Sequence, residues 1–258
     1  MTRHKFRIEH DLLGEREVLD ASYYGVQTLR AVENFPISGI TLGRYRLMVR
    51  SLAYIKKAAA AANTKLGLLP ENIAAAISAA CDDIIAGRYD NQFVVDMIQG
   101  GAGTSSNMNA NEVIANVALE KMGYDKGRYD IIHPNNHVNM CQSTNDVYPT
   151  AIRLALIFKI RGLLEAMRHL YGALEDKSIE FRDVIKMGRT QLQDAVPMSL
   201  RQEFSAFAVM VGEDIARVEE TENLLREINL GATAIGTGLN AHPEYAPLAV
   251  LYLRQFTG

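Results

Sequence analysis

Four stretches of this 258-residue chain gather hydroxyl and amide side chains at breaks that adjoin helix starts. The first is Gly100-Gly101-Ala102-Gly103-Thr104-Ser105-Ser106-Asn107. Its glycines let backbone N–H groups approach a ligand, and the helix that follows turns its positive end toward the same point. That combination suits an anion, and it equally suits a helix merely capped by Thr or Ser. No Gly-Lys-Ser/Thr follows, so it is not a nucleotide phosphate loop. The second stretch, Gln142-Ser143-Thr144-Asn145-Asp146, places two hydroxyls and two amides in succession at the mouth of a long helical pattern. Any one of them could cap that helix; a carboxylate ligand needs several neutral donors, so a substrate-binding turn stands beside the capping reading. The third, Gly188-Arg189-Thr190-Gln191-Leu192-Gln193-Asp194, again sets Thr and Gln ahead of a helix. The fourth, Gly231 to Asn240 (GATAIGTGLN), imitates a dinucleotide fingerprint, but no strand precedes it and no long helix follows. His133, His137 and Cys141 recur at spacings of four, which on a helix would align metal ligands. Pro134 and Asn135-Asn136 interrupt any helix there and no fourth ligand is in reach, so no metal is expected. Histidines bonded to loop backbone are the plainer reading, and no Ser-His-Asp or Cys-His pairing follows from spacing.

The elements that must position these loops are helical. Leu47, Met48, Leu52, Ile55, Ala59 and Ala62 recur at helical spacing over about 45–66, with Arg50, Lys56 and Lys57 elsewhere on the wheel. Gly67 ends this helix, Pro70 suits the start of the next over 71–86, and Gly87 closes it. A third helix is expected over about 109–122. Residues 124–145, rich in Tyr, Asp, His, Pro and Asn, read as a loop and place a domain boundary at 141/142. The longest helical pattern runs from Asp146 to about Leu174, apolar nearly all round in its first half, which calls for cover on most sides. A β-like stretch over 181–187 leads into the loop 188–197; Ser199 with Gln202 then forms a capping box for a second long helix reaching about Arg226. A short helix over about 245–256 ends the chain. Two long helices joined by a loop leave apolar flanks, so further helices are expected later in the chain or in another subunit.

Composition narrows the function classes. The chain is 48% hydrophobic and 22% charged with a net charge of -3, and no basic run offers nucleic acid a footprint. No uncharged apolar run approaches the roughly 20 residues of a membrane span, and the start is not a signal peptide. Two cysteines in a chain this long read as reduced and cytoplasmic. The halt at Phe256-Thr257-Gly258, directly after a helical pattern, suggests a portion of something longer.

Arg7-Ile8-Glu9, Tyr23-Tyr24-Gly25-Val26-Gln27-Thr28, GGAGTSSNMNANE from Gly100, HPNNHVNMCQSTNDVYPT from His133, KMGRTQLQDAVP from Lys186 and GATAIGTGLN from Gly231 follow one another in an order that resembles the aspartase/fumarase superfamily. The aspartase branch is the closest match, and the resemblance covers Arg7 to Gly258. It implies a mainly α fold: a helical amino-terminal domain over 1–141, then over 142–258 the first part of a long-helix bundle, truncated, which builds a homotetramer. It implies the reversible anti elimination of ammonia from L-aspartate to give fumarate, without a cofactor. Thr104, Ser143 and Thr144, with Ser105 beside them, would bind the carboxylate next to C3; Asn145 would meet the amino group and Thr190 the other carboxylate. Gln191 stands where fumarases have histidine. His133 and Asn135 match a secondary dicarboxylate site of fumarases. Arg201, Asn136 and Met140 depart from the family's usual glycine, aspartate and lysine at those places. Nothing matches the family's G-S-S-x-M-P-x-K-x-N-P loop, whose serine is the base, so no catalytic residue is assigned and the chain is expected to be inactive alone. Loss of a base costs on the order of a hundredfold to ten-thousandfold. Fumarate hydratase, or a non-catalytic helical assembly that binds dicarboxylates, are the rival readings.

Overall fold

The computed structural model describes residues 5–98 and 101–258, so Gly100 of the first loop lies outside the described residues. The chain forms two compact units, Met1–Ala155 with Ile228–Gly258, and Leu156–Glu227.

The first unit opens with β1 (Phe6–Asp11) paired antiparallel to β2 (Gly14–Leu19), from Phe6 opposite Leu19 to Asp11 opposite Gly14. The sequence reading assigns no element ahead of the helix at about 45–66. The strands were illegible because their buried positions are Glu9 and Val18, while Phe6 and Ile8 face outward, so no apolar alternation marks them. Helix α1 (Val26–Asn34) also escaped that reading, since its N-cap Gly25 brings no capping side chain. Helices α2 (Arg46–Lys65) and α3 (Glu71–Ile85) lie within a residue of their expected bounds and pack on each other.

Helix α4 (Thr104–Lys121) starts five residues before the expected Asn109, at the glycine break itself. It is buried continuously from Ser106 to Leu119, with no solvent face to set a period. Pro134–Val138, expected as loop, forms a single π-helical turn. Helix α5 (Thr144–Glu180) extends beyond the expected bounds at both ends, and α7 (Tyr245–Thr257) returns to pack on α2.

In the second unit the expected loop at 188–197 is a hairpin, β3 (Ile185–Thr190) against β4 (Gln193–Ser199), with Thr190 opposite Gln193. Its two-residue turn, Gln191-Leu192, has φ of 50° and 65°. Such a turn ordinarily carries Asn-Gly, and Gln-Leu gives no sequence signal for it. Helix α6 (Leu200–Leu225) begins at the expected capping box: the Ser199 hydroxyl accepts from the Gln202 N–H, and Gln202 Oε1 accepts from the Ser199 N–H. No helix among the described residues is long and apolar enough to cross a membrane.

Candidate active site

Two of the glycine- and amide-rich loops close on one another in the first unit, and a third leans on them. The Asp146 carboxylate, fully buried, accepts the Ser143 N–H at 2.9 Å through Oδ1, and the Gly231 and Thr233 N–H groups at 2.9 and 3.2 Å through Oδ2. It therefore fastens the start of α5 to the 231–236 loop. The first loop joins through Gly103, on which the Tyr148 ring of α5 rests: a Cβ there would lie 2.3 Å from the ring. One turn into α4, the Asn107 amide donates to Thr144 Oγ1 at 3.3 Å.

Behind these loops sits Lys56. The sequence reading puts it on the polar side of its helix; it is in fact fully buried, four residues after Leu52 on the apolar stripe. Its ammonium donates to Asn107 Oδ1 and Asn139 Oδ1, each at 2.7 Å, and to Gln142 Oε1 at 2.9 Å, one acceptor for each N–H. Asn139 Oδ1 also receives the Asn107 and Asn111 amides. Burial draws the Lys56 pKa down to about 7, with Asp146 pulling it upward. Asn107, Asn139 and Gln142 thus form a polar cage that ties α2, α4 and the segment before α5 together. A cation inside a helix stripe was the one signal that could have revealed it.

The hydrogen bonds fix what each hydroxyl can offer. Ser143 Oγ accepts from the Asn145 N–H at 3.2 Å and Thr144 Oγ1 accepts from Asn107, which leaves both O–H protons to donate outward. Thr104 differs: its exposed hydroxyl donates to the Gly101 carbonyl at 2.7 Å. Ser105 follows it, half-buried. Two donors at the amino end of α5, beside the positive end of the helix, can hold a carboxylate. Thr190 and Gln191 lie in the second unit, both exposed, at the hairpin turn.

His133 Nδ1 accepts the Asn135 and Asn136 N–H groups, and His137 Nδ1 accepts the His133 N–H. Burial lowers the pKa of both rings, and for His133 the neighbouring His137 and His10 add to it. Asn135 is exposed at the start of this turn.

A second buried cluster explains two further motifs. Glu112 of α4 accepts the N–H groups of Gly25, Gln27 and Thr28 at 2.8, 2.9 and 3.0 Å, and Glu9 accepts that of Val26 at 2.9 Å. These carboxylates cap α1 from outside it. Burial pushes Glu112 up to about 7 against those hydrogen bonds, and Glu9 adds to the rise. Gly25 is required there, because a Cβ would stand 2.5 Å from both Glu9 Oε2 and the Tyr129 hydroxyl. This cluster fastens the start of α1 to α4 and β1.

A family model described as lyase matches residues 14–258. The chain is 55% identical over 252 residues to the aspartate ammonia-lyase of Helicobacter pylori strain 26695, covering 98% of this chain and 54% of that protein. It is 60% identical over 253 residues to the aspartate ammonia-lyase of Pseudomonas aeruginosa, covering 98% and 53%. Among solved structures, the cobalt-bound fumarate lyase:delta crystallin of Brucella melitensis superposes with a TM-score of 0.97 at 59% identity, covering 98% of this chain and 55% of that one. A recombinant class II fumarase from Schistosoma mansoni gives 0.93 at 38% identity, covering 98% and 53%. The chain spans about half the length of the curated relatives it matches. With the family model aligned from the start of β2 through to Gly258, the chain belongs to the lyase family.

Proposed function

We propose that this chain contributes to an aspartate ammonia-lyase, which removes a proton from C3 of L-aspartate and expels ammonia from C2 to give fumarate. The reading is carried by the identity of 55% and 60% to two aspartate ammonia-lyases along 98% of the chain, with Ser143-Thr144-Asn145 set on the Lys56 cage. As C3 loses its proton, the electron pair moves into the adjacent carboxylate, which then carries two negative charges. The free O–H donors of Ser143 and Thr144 suit that charge, and Thr104 joins them once its hydroxyl turns from Gly101. Preorganised donors of this kind are worth about 3 kcal/mol each. In this reading Ser105 lines the same loop, Thr190 holds the distal carboxylate, and Gln191 replaces a histidine beside it. None of these residues serves as the C3 base.

His133 and Asn135 are assigned to a secondary dicarboxylate site, the assembly to a homotetramer, and the protein to the cytoplasm. The domains of the whole protein are assigned to 1–141 and 142–258 on the family's architecture, a division different from the two compact units of this chain. Fumarate hydration is the second reading, favoured by the likeness to the class II fumarase. Protein expressed from the complete open reading frame decides between them: ammonia release from L-aspartate supports the proposal, and hydration of fumarate without deamination defeats it.

A further inference from the structure

The side-chain amide of Asn145 is oriented, not merely placed. Its Nδ2 donates to the Ala234 carbonyl at 2.7 Å. A carbonyl can only accept, so Nδ2 must face the loop and Oδ1 must face away. No described residue donates to Oδ1, and the residue is exposed. Ser143 and Thr144 therefore present donors at the mouth of α5, while the next residue presents an acceptor.

Several features hold this orientation. Pro149 lacks the N–H that would reach the Asn145 carbonyl four residues earlier, and the Asn229 amide fills that place at 3.0 Å. Asp146 binds the N–H groups on both sides of Ala232. Thr233 sits at φ 58° with its hydroxyl buried and unpartnered, a strained conformation kept by the bonds around it. Ala234, the acceptor for Asn145, follows directly.

We propose that Asp146 and the 231–236 loop are a positioning device: they turn the Asn145 amide so that its oxygen meets the ligand, and so favour a dicarboxylate bearing an ammonium group over one without. The inference rests on the aspartate reading above. A carboxylate takes the two hydroxyl donors, an ammonium donates to Oδ1, and a desamino dicarboxylate leaves that oxygen unpaired.

The test uses protein from the complete open reading frame, comparing KM for L-aspartate with the inhibition constant of succinate. Asp146→Asn keeps the size but removes the charge that holds all three N–H groups, and sets an NH2 group against the Ser143 N–H or against those of Gly231 and Thr233. Exchange at the Gly231 and Thr233 amides should rise at least tenfold. KM for L-aspartate should rise about tenfold, the factor carried by one hydrogen bond to a charged group, with the succinate constant changed less than threefold. Asn229→Ala, at an exposed position less able to disturb folding, should move the same ratio in the same direction by a smaller factor. Equal weakening of both ligands, or an unmoved ratio in both variants, overturns the inference while leaving the reading intact. Absence of any turnover of L-aspartate by the unsubstituted protein overturns the reading and the inference with it.

Discussion

Lys56 and Glu112 are two buried groups whose titration bears on how this fold responds to pH. Glu112 binds its proton more tightly in the fold than in the open chain, at about 7 against an ordinary 4.5. Stability from it is therefore full at low pH and declines as pH rises through that window. Lys56 runs the other way: its folded value of about 7 lies below the ordinary 10.5, so the penalty for burying its ammonium is present at and below pH 7 and lifts above it. Urea unfolding at pH 5, 7 and 9 should give lower stability at pH 7 than at either flank, and Glu112→Gln should abolish the decline from 5 to 7. Lys56→Met should cost about 3 kcal/mol or more, because it strips the cation from three amide oxygens, and a loss under 1 kcal/mol would contradict the cage. The sequence concealed both groups for one reason. A lone charge on a helix stripe is ordinarily solvated, and only its partners, 51 to 87 residues away, make burial tolerable.

At the scale of elements, α4 carries the organisation. Its interior asparagines and Glu112 each hold a different segment: Asn107 the amino end of α5, Asn111 the 139 turn, Glu112 the start of α1 and Asn116 the backbone at Tyr23 and Gly127. A helix so used needs its first residue fixed, and Gly103 does this at φ 89° under the Tyr148 ring. Gly103→Ala combines left-handed strain with overlap and should cost about 3 kcal/mol. Gly67→Ala, at φ 72° but with open space around it, should cost about 1 kcal/mol. Thermal unfolding of the two variants distinguishes them, and equal losses would mean that the ring contact has no weight. Helices α2, α3 and α7 were legible because each shows one apolar face to a neighbour. The two hairpins were not, since an isolated pair of strands with charged or exposed residues carries no alternation to read. The capping box at Ser199 was legible because its bonds close within four residues.

For the molecule as a whole, Leu156, Leu163 and Leu170 recur every seven residues along α5 and stand about half exposed. Such spacing fits a seam against other helices, which the proposed homotetramer would supply. Leu163→Glu should shift sedimentation toward smaller species than the unsubstituted chain forms; an unchanged profile would argue against that assembly. The isolated 258-residue chain should release no fumarate from L-aspartate, measured by absorbance. Turnover abolished by Thr190→Ala would reveal a base among these residues after all. What the sequence could state of the site was residue type and order; it could not state that Ser143 and Thr144 have protons to donate, because that depends on who donates to them.

The first unit is discontinuous along the chain, and this bears on how it is made. Helix α7 packs on α2, with the Lys57 ammonium 4.8 Å from the centre of the Phe256 ring. Asp146 likewise waits for Gly231 and Thr233 before its second oxygen is satisfied. On the ribosome, where chains grow at about 5 to 20 residues per second, α2 is finished roughly 10 to 40 seconds before α7 exists. During that interval α3 can already pack on α2, but the flank that α7 will cover stays open, so the unit closes only when the last helix has been made.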